Sequence, residues 1–121
     1  MERGHITITE QGVRINPVQG TVWLSEHQIA SLFDVFVSKV GSNIRSIFKN
    51  RLLQTEEVMH THHFDGGSVD LYNLEMITAL AYRIDSPKAT IFRKWTMRRQ
   101  TAREKVHEPI VVCYQNGTLL N

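Results

Sequence analysis

TVWLSEHQIASLFDVFVSKVGSNIRSIFKN, residues 21–50, decides how the chain is organised. Ser25 offers a side-chain acceptor for orphan helix N–H groups, and Gln28 follows three residues later, the spacing of a capping box. Leu24 and Ile29 are spaced as a hydrophobic staple, so a helix starts at Glu26. It runs to Phe33 and stops at Asp34-Val35-Phe36, and a second helix follows over about 37–50. Two short helices across a tight turn predict a helix-turn-helix. On a helical wheel Val37, Val40, Ile44, Ile47 and Phe48 of the second helix fall inside one arc of about 100°. The opposite arc holds Ser38, Lys39, Ser42, Asn43, Arg45, Ser46 and Lys49, with no acid and no apolar residue. Hydroxyl, amide and cationic side chains are the ones that meet base edges and phosphates, and serines permit close approach to a groove. Ser38, Lys39, Ser42 and Asn43 are therefore expected to face bases, and Arg45, Ser46 and Lys49 to face phosphates. Gly41, at the edge of the polar arc, weakens the helix by about 1 kcal/mol relative to Ala. Its presence predicts the close approach of another backbone, protein or DNA.

Outward from this segment the pattern changes to short alternating runs. ITIT and VRIN, around Glu10-Gln11-Gly12, predict a hairpin, and Thr21-Val22-Trp23-Leu24 a third short strand. On the other side, two alternating runs about Asp65-Gly66 make residues 56–73 a second hairpin. A hairpin directly after a recognition helix is the wing of a winged helix. Asn73 caps the next helix, 74–83, which is apolar around most of its circumference. Ser86-Pro87 starts the last helix, 87–105, since Ser accepts from orphan N–H groups and Pro presets φ at the first helical position. Phe92 and Trp95 lie on its apolar arc and Arg93, Lys94 and Arg98 off it, whereas Arg99 and Arg103 fall inside it. Beyond Trp95 the helix should leave the core. Pro109 to Gln115 reads as a strand within a strand-like tail, 106–121. The expected fold class is thus α+β, a winged helix-turn-helix-like domain with a small N-terminal antiparallel sheet and a basic C-terminal helix. The chain forms one domain: strand plus helix-turn-helix (18–50), wing (56–73), two helices (74–105) and tail.

A chain of 121 residues with 41% hydrophobic content can bury one core without staples. The single cysteine, Cys113, rules out an internal disulfide. No apolar run reaches the length of a membrane span and the N-terminus has no apolar signal core, so a cytoplasmic location is expected. The net charge is only +2, yet residues 83–105 carry eight basic residues against two acids. Such asymmetry suits a polyanion. Arg93, Lys94, Arg98 and Arg99 are accordingly expected to neutralise phosphates.

His60 and His62, two apart on a strand, share a face as two metal ligands would, and Asp70 across the hairpin is the nearest third candidate. No cysteine pair or HExxH spacing accompanies them, and no metal or cofactor is expected. There is no phosphate-binding glycine loop, nucleophile motif or helical pair of carboxylates, so neither an enzyme nor a small-molecule site is expected.

Three stretches, TVWLSEHQIASLFDVFVSKVGSNIRSIF (21–48), VDLYNLEMITALAYRIDSP (69–87) and KATIFRKWTMR (88–98), together resemble the RhuM family. These are virulence-associated proteins of bacterial genomic islands and mobile elements. The pattern Ser86-x-x-Ala89-x-x-Phe92-Arg93-x-Trp95 also resembles the end of the Bro-N and KilA-N domains of phage antirepressors. The resemblance covers about residues 18–100 and places Ala30 at the small-residue position of a helix-turn-helix. Family members often carry Gly where Asp34 stands, and the Val40-to-Ile44 spacing is one residue longer than in repressors. The resemblance implies binding to double-stranded DNA. With the acid-free helix it points to a DNA-binding regulator of a mobile element, for which a homodimer is expected because one reading head spans few base pairs. The alternative is an antirepressor-like module that binds a repressor or its own second copy.

Overall fold

The computed structural model describes residues 3–107, with side chains through Arg99. It is a small α+β domain: β1 (His5–Thr9), β2 (Gly12–Asn16), α1 (Glu26–Phe33), α2 (Val37–Lys49), α3 (Thr55–Val58), β3 (Met59–Phe64), β4 (Gly67–Tyr72), α4 (Leu74–Ala81) and α5 (Pro87–His107). The strands form two separate antiparallel pairs, β1–β2 and β3–β4. The predicted strand over 109–115 lies outside the described residues.

Local chemistry sets the helix boundaries. Ser25 Oγ accepts from the Gln28 N–H at 3.2 Å while Gln28 Oε1 accepts from the Ser25 N–H at 2.9 Å, so both halves of the capping box form. The turn after α1 closes through Asp34 in the left-handed region (φ 59°, ψ 49°). Its N–H donates to Ser31 O at 3.3 Å, and the Val35 N–H donates to Ala30 O at 3.0 Å. Asn73 Oδ1 accepts from the Met76 N–H at 3.1 Å at the start of α4, and Ser86 Oγ from the Ala89 N–H at 3.1 Å at the start of α5. In β1–β2 the register pairs Ile6 with Ile15 and Ile8 with Val13, which puts four apolar side chains on one face.

One core joins all these elements. Ile29, Phe33, Val40, Ile44, Ile47, Val58, Met76, Ile77, Leu80, Ile84 and Phe92 are each almost fully buried. Phe33 of α1 and Phe92 of α5 meet edge to face, ring centroids 5.9 Å apart. They seat the first turns of α5 against α1.

Two expected strands are corrected. Thr21–Leu24 is not a third strand; its backbone bonds divide among three places. Thr21 bridges Val18, the Trp23 N–H donates to Arg3 O at 2.9 Å, and Leu24 bridges Tyr72 with bonds of 3.0 and 2.8 Å. Buried Val22 and Leu24 anchor a connector that stitches the N-terminal segment to β4. The β3–β4 hairpin also starts at Met59, not at residue 56, because 55–58 is the helical turn α3. Glu56 and Glu57 suit its N-terminus, and Asn73 holds it, its N–H donating to Val58 O and its Nδ2 to Glu57 O.

Candidate nucleic-acid interface

The second helix packs against α1 and α4 along Val40, Ile44 and Ile47 and turns its polar arc outward. Ser38, Lys39, Ser42, Arg45 and Lys49 are all exposed, whereas Asn43 and Ser46 are half-buried on the flank. Ser42 Oγ and Asn43 Nδ2 both donate to Lys39 O, at 3.2 and 2.9 Å. The helix ends in a Schellman closure: the Arg51 N–H donates to Phe48 O at 3.1 Å and the Leu52 N–H to Ile47 O at 3.0 Å. Arg51 takes the left-handed position (φ 56°) that glycine usually fills. The closure leaves the Arg51 side chain exposed directly after Lys49. At the other end, α2 starts from Phe36 with no capping side chain, and Phe36 is 84% exposed.

Lys39, Arg45, Lys49 and Arg51 form no ion pair among the described residues; the one bridge there joins Lys88 to Asp34 at 3.6 Å. An acid does reach the edge of the face. A Cβ on Gly41 would stand 3.1 Å from Glu26 Oε1 and 3.2 Å from Arg45 Nη1, so the α1 carboxylate and the α2 guanidinium share the space that glycine leaves. The expected close backbone neighbour at Gly41 is thus replaced by two flexible side-chain ends. Tyr72, buried beneath Glu26, has its hydroxyl pushed up to about 12 by burial, then by the charges of Glu26 and Asp70 and a hydrogen bond to Glu26.

The expected phosphate contacts of the last helix come apart. Arg93 is a cap: its Nη1 donates to Ala81 O at 2.6 Å and Ile84 O at 2.9 Å, and its Nη2 to Thr90 Oγ1 at 2.9 Å. It serves the carbonyls where α4 ends, a position that favours a cation. Arg99 lies 5.0 Å from the centroid of the Trp95 ring, which explains an arginine on the apolar arc. Lys94 and Arg98 are exposed. The main neighbours of α5 are α4, α1, β1 and β2, not α2, and its Trp95, Thr96 and Arg99 border a cleft lined also by Val13, Arg14 and Ile15. The structure therefore gathers Ser38, Lys39, Ser42, Arg45 and Lys49 on one surface but does not join Lys94, Arg98 and Arg99 to it.

One cation absent from the expected site is present. Arg83, just past α4, donates through Nε to Asn43 Oδ1 at 3.0 Å and through Nη2 to Ser46 Oγ at 2.7 Å. Forty residues separate Arg83 from Asn43, and no local spacing announces such a contact.

On the β3–β4 hairpin, His60 meets Trp23 edge to face (6.0 Å) and His62 stacks on Phe64 (6.4 Å). Asp70 pairs with Thr61 in the register and accepts its hydroxyl at 2.7 Å, so it stands on the face opposite His60 and His62. Asp70 is not the third ligand. No cluster of three metal-ligating side chains occurs among the described residues, and none of their helices is long and apolar enough to cross a membrane. No family model, curated protein or solved structure matches this chain.

Proposed function

We propose that the chain is a DNA-binding regulator, of RhuM type and serving a mobile element, that lays α2 in the major groove of a duplex. The observation that carries this reading is the outward face of α2, where Ser38, Lys39, Ser42, Arg45 and Lys49 are exposed and no acid stands along the helix. Hydroxyls at 38 and 42 are short enough to let a groove floor approach, while Lys39, Arg45, Lys49 and Arg51 supply charge around them. In this reading α1 and α2 act as a helix-turn-helix and β3–β4 as its wing. The wing residues 59–72 contain no Lys or Arg, so the wing contributes fit rather than charge.

Fluorescence anisotropy on a short labelled duplex tests the proposal. With about four phosphates engaged from α2 and its closure, log affinity falls with log salt at a slope of about −3 to −4. Absence of binding at about 50 mM salt, or binding that ignores salt, removes it. Changing Ser42 shifts sequence preference, whereas Lys49→Ala weakens all duplexes alike.

A second reading, a protein-docking module, draws on Phe36. An aromatic ring left 84% exposed at the head of α2, beside half-buried Val35 and Val37, is the kind of anchor a protein partner uses. Phe36→Ser separates the two: it leaves duplex binding unchanged and abolishes capture of a repressor or second copy only if this module reading holds.

A further inference from the structure

We infer that Arg83 is a phosphate-binding residue of the α2 surface and that Asn43 and Ser46 are the residues that position it. The inference rests on the proposed DNA-binding reading and deepens it.

The backbone that carries Arg83 is held from both sides. Its own N–H donates to Leu80 O at 3.0 Å, and the neighbouring Ile84, 1% exposed, anchors the segment in the core. The Arg93 guanidinium bonds the carbonyls of Ala81 and Ile84, which bracket Arg83. The side chain then crosses to α2 and is fixed by Asn43 Oδ1 and Ser46 Oγ. Asn43 is itself oriented, since its Nδ2 donates to Lys39 O at 2.9 Å, which leaves Oδ1 to accept from Arg83. Ser46 Oγ accepts a second bond from Asn50 Nδ2 at 3.3 Å.

Both partners of Arg83 are neutral, and Arg83 forms no ion pair among the described residues. Two of the five guanidinium donors are thus spent on orientation, while the charge stays uncompensated and exposed. A preset fork of this kind matches the paired oxygens of a phosphate. Its location chooses between base and backbone. Asn43 and Ser46 lie on the half-buried flank of α2 toward α4, not at the exposed crest with Ser38 and Ser42. When a helix lies in a groove, its flanks face the sugar-phosphate walls. Asn43, read from the sequence as a base contact, is here committed to Arg83.

Anisotropy with a random-sequence duplex, between about 50 and about 200 mM salt, tests this on the wild type, Arg83→Gln, Arg83→Lys, Asn43→Ala and the Asn43→Ala/Arg83→Gln double variant. Thermal melts on each variant accompany the titrations. Arg83→Gln should weaken binding by about tenfold and make the salt slope less negative by about 1. Arg83→Lys should restore the slope but only part of the affinity, because an ammonium keeps the charge without the fork. Asn43→Ala should weaken binding in the wild type and do nothing further in the Arg83→Gln background, the signature of two residues acting as one unit. If Arg83→Gln binds within about twofold of wild type at an unchanged slope, Arg83 is a bolt between α4 and α2 and the inference falls while DNA binding stands. An Asn43→Ala effect undiminished in that background gives Asn43 its own contact and overturns the positioning role. Wild-type protein that does not bind the duplex takes down both.

Discussion

Asp34 and Arg51 adopt left-handed backbone at the ends of consecutive helices, one closing α1 and the other α2. A non-glycine residue there costs on the order of 1 kcal/mol. Asp34 offsets the cost by its small polar side chain and its contact with Lys88, but the long Arg51 side chain has no partner among the described residues. Arg51→Gly should therefore raise stability by about 0.5–1 kcal/mol in urea unfolding and, under the proposed DNA-binding reading, weaken duplex binding. Both measurements are needed, because a gain in stability with unchanged binding would show that Arg51 lies off the DNA. Gly41 behaves in the opposite sense. Its space is bounded by two side-chain ends that can move a few tenths of an ångström, so Gly41→Ala should gain about 0.5–1 kcal/mol of helix stability. A loss would mean that Glu26 and Arg45 are held more rigidly than their flexible ends suggest. Tyr72 sets an alkaline limit. Its raised hydroxyl pKa means that the unfolded chain loses the proton near 10 and the folded chain only near 12. Stability is full below the lower value and falls as pH climbs between the two. Denaturant midpoints across that window should decline less steeply in Tyr72→Phe than in wild type.

At the scale of elements, charge turns out to be a poor guide to role. In sequence Arg93 belongs to the same basic run as Lys94 and Arg98, yet it closes the end of α4 from within α5. Arg93→Ala should cost about 1–3 kcal/mol by leaving two partly buried carbonyls without their donor, and Arg93→Lys should recover little, since one ammonium cannot reproduce the fork. A thermal melt of each variant checks this. The helix starts, by contrast, were legible as written. Ser25 with Gln28, Asn73, and Ser86 with Pro87 all cap where their spacing says, because a cap is satisfied within four residues. The strand readings at Thr21–Leu24 and 56–58 failed for the converse reason. Short alternating runs do not state which backbone they will bond, and here Leu24 found Tyr72 while Val58 was drawn into the core through a helical turn.

For the whole molecule, the edge-to-face packing of Phe33 and Phe92 seats α5 against α1, and the stretch from Phe92 to Arg99 runs beside β2. At about 1.5 Å per residue, Arg98 lies about 15 Å along the helix from Lys88 at the turn. If the proposed DNA-binding reading holds, a short duplex seated on α2 is held by α2 and its closure alone, and Lys94 and Arg98 engage only when the duplex extends past that site. The salt slope should steepen with duplex length in wild type and stay constant in a Lys94→Ala/Arg98→Ala variant, as titrations on short and long duplexes would show. An equal slope on both lengths would restrict the binding surface to α2.

The sequence by itself determined the starts of α1, α4 and α5, the two hairpin turns and the polar arc of α2, because capping, turn chemistry and helical period act over a few residues. Tertiary packing alone decided which cations share a surface. It sent Arg93 to the carbonyls of Ala81 and Ile84 at the close of α4 and just beyond it, laid Arg99 over Trp95, carried Arg83 forty residues back onto α2 and brought Glu26 to its edge. The physical reason is reach: an arginine can meet any partner within the length of its side chain, and only the folded core specifies which partner that is.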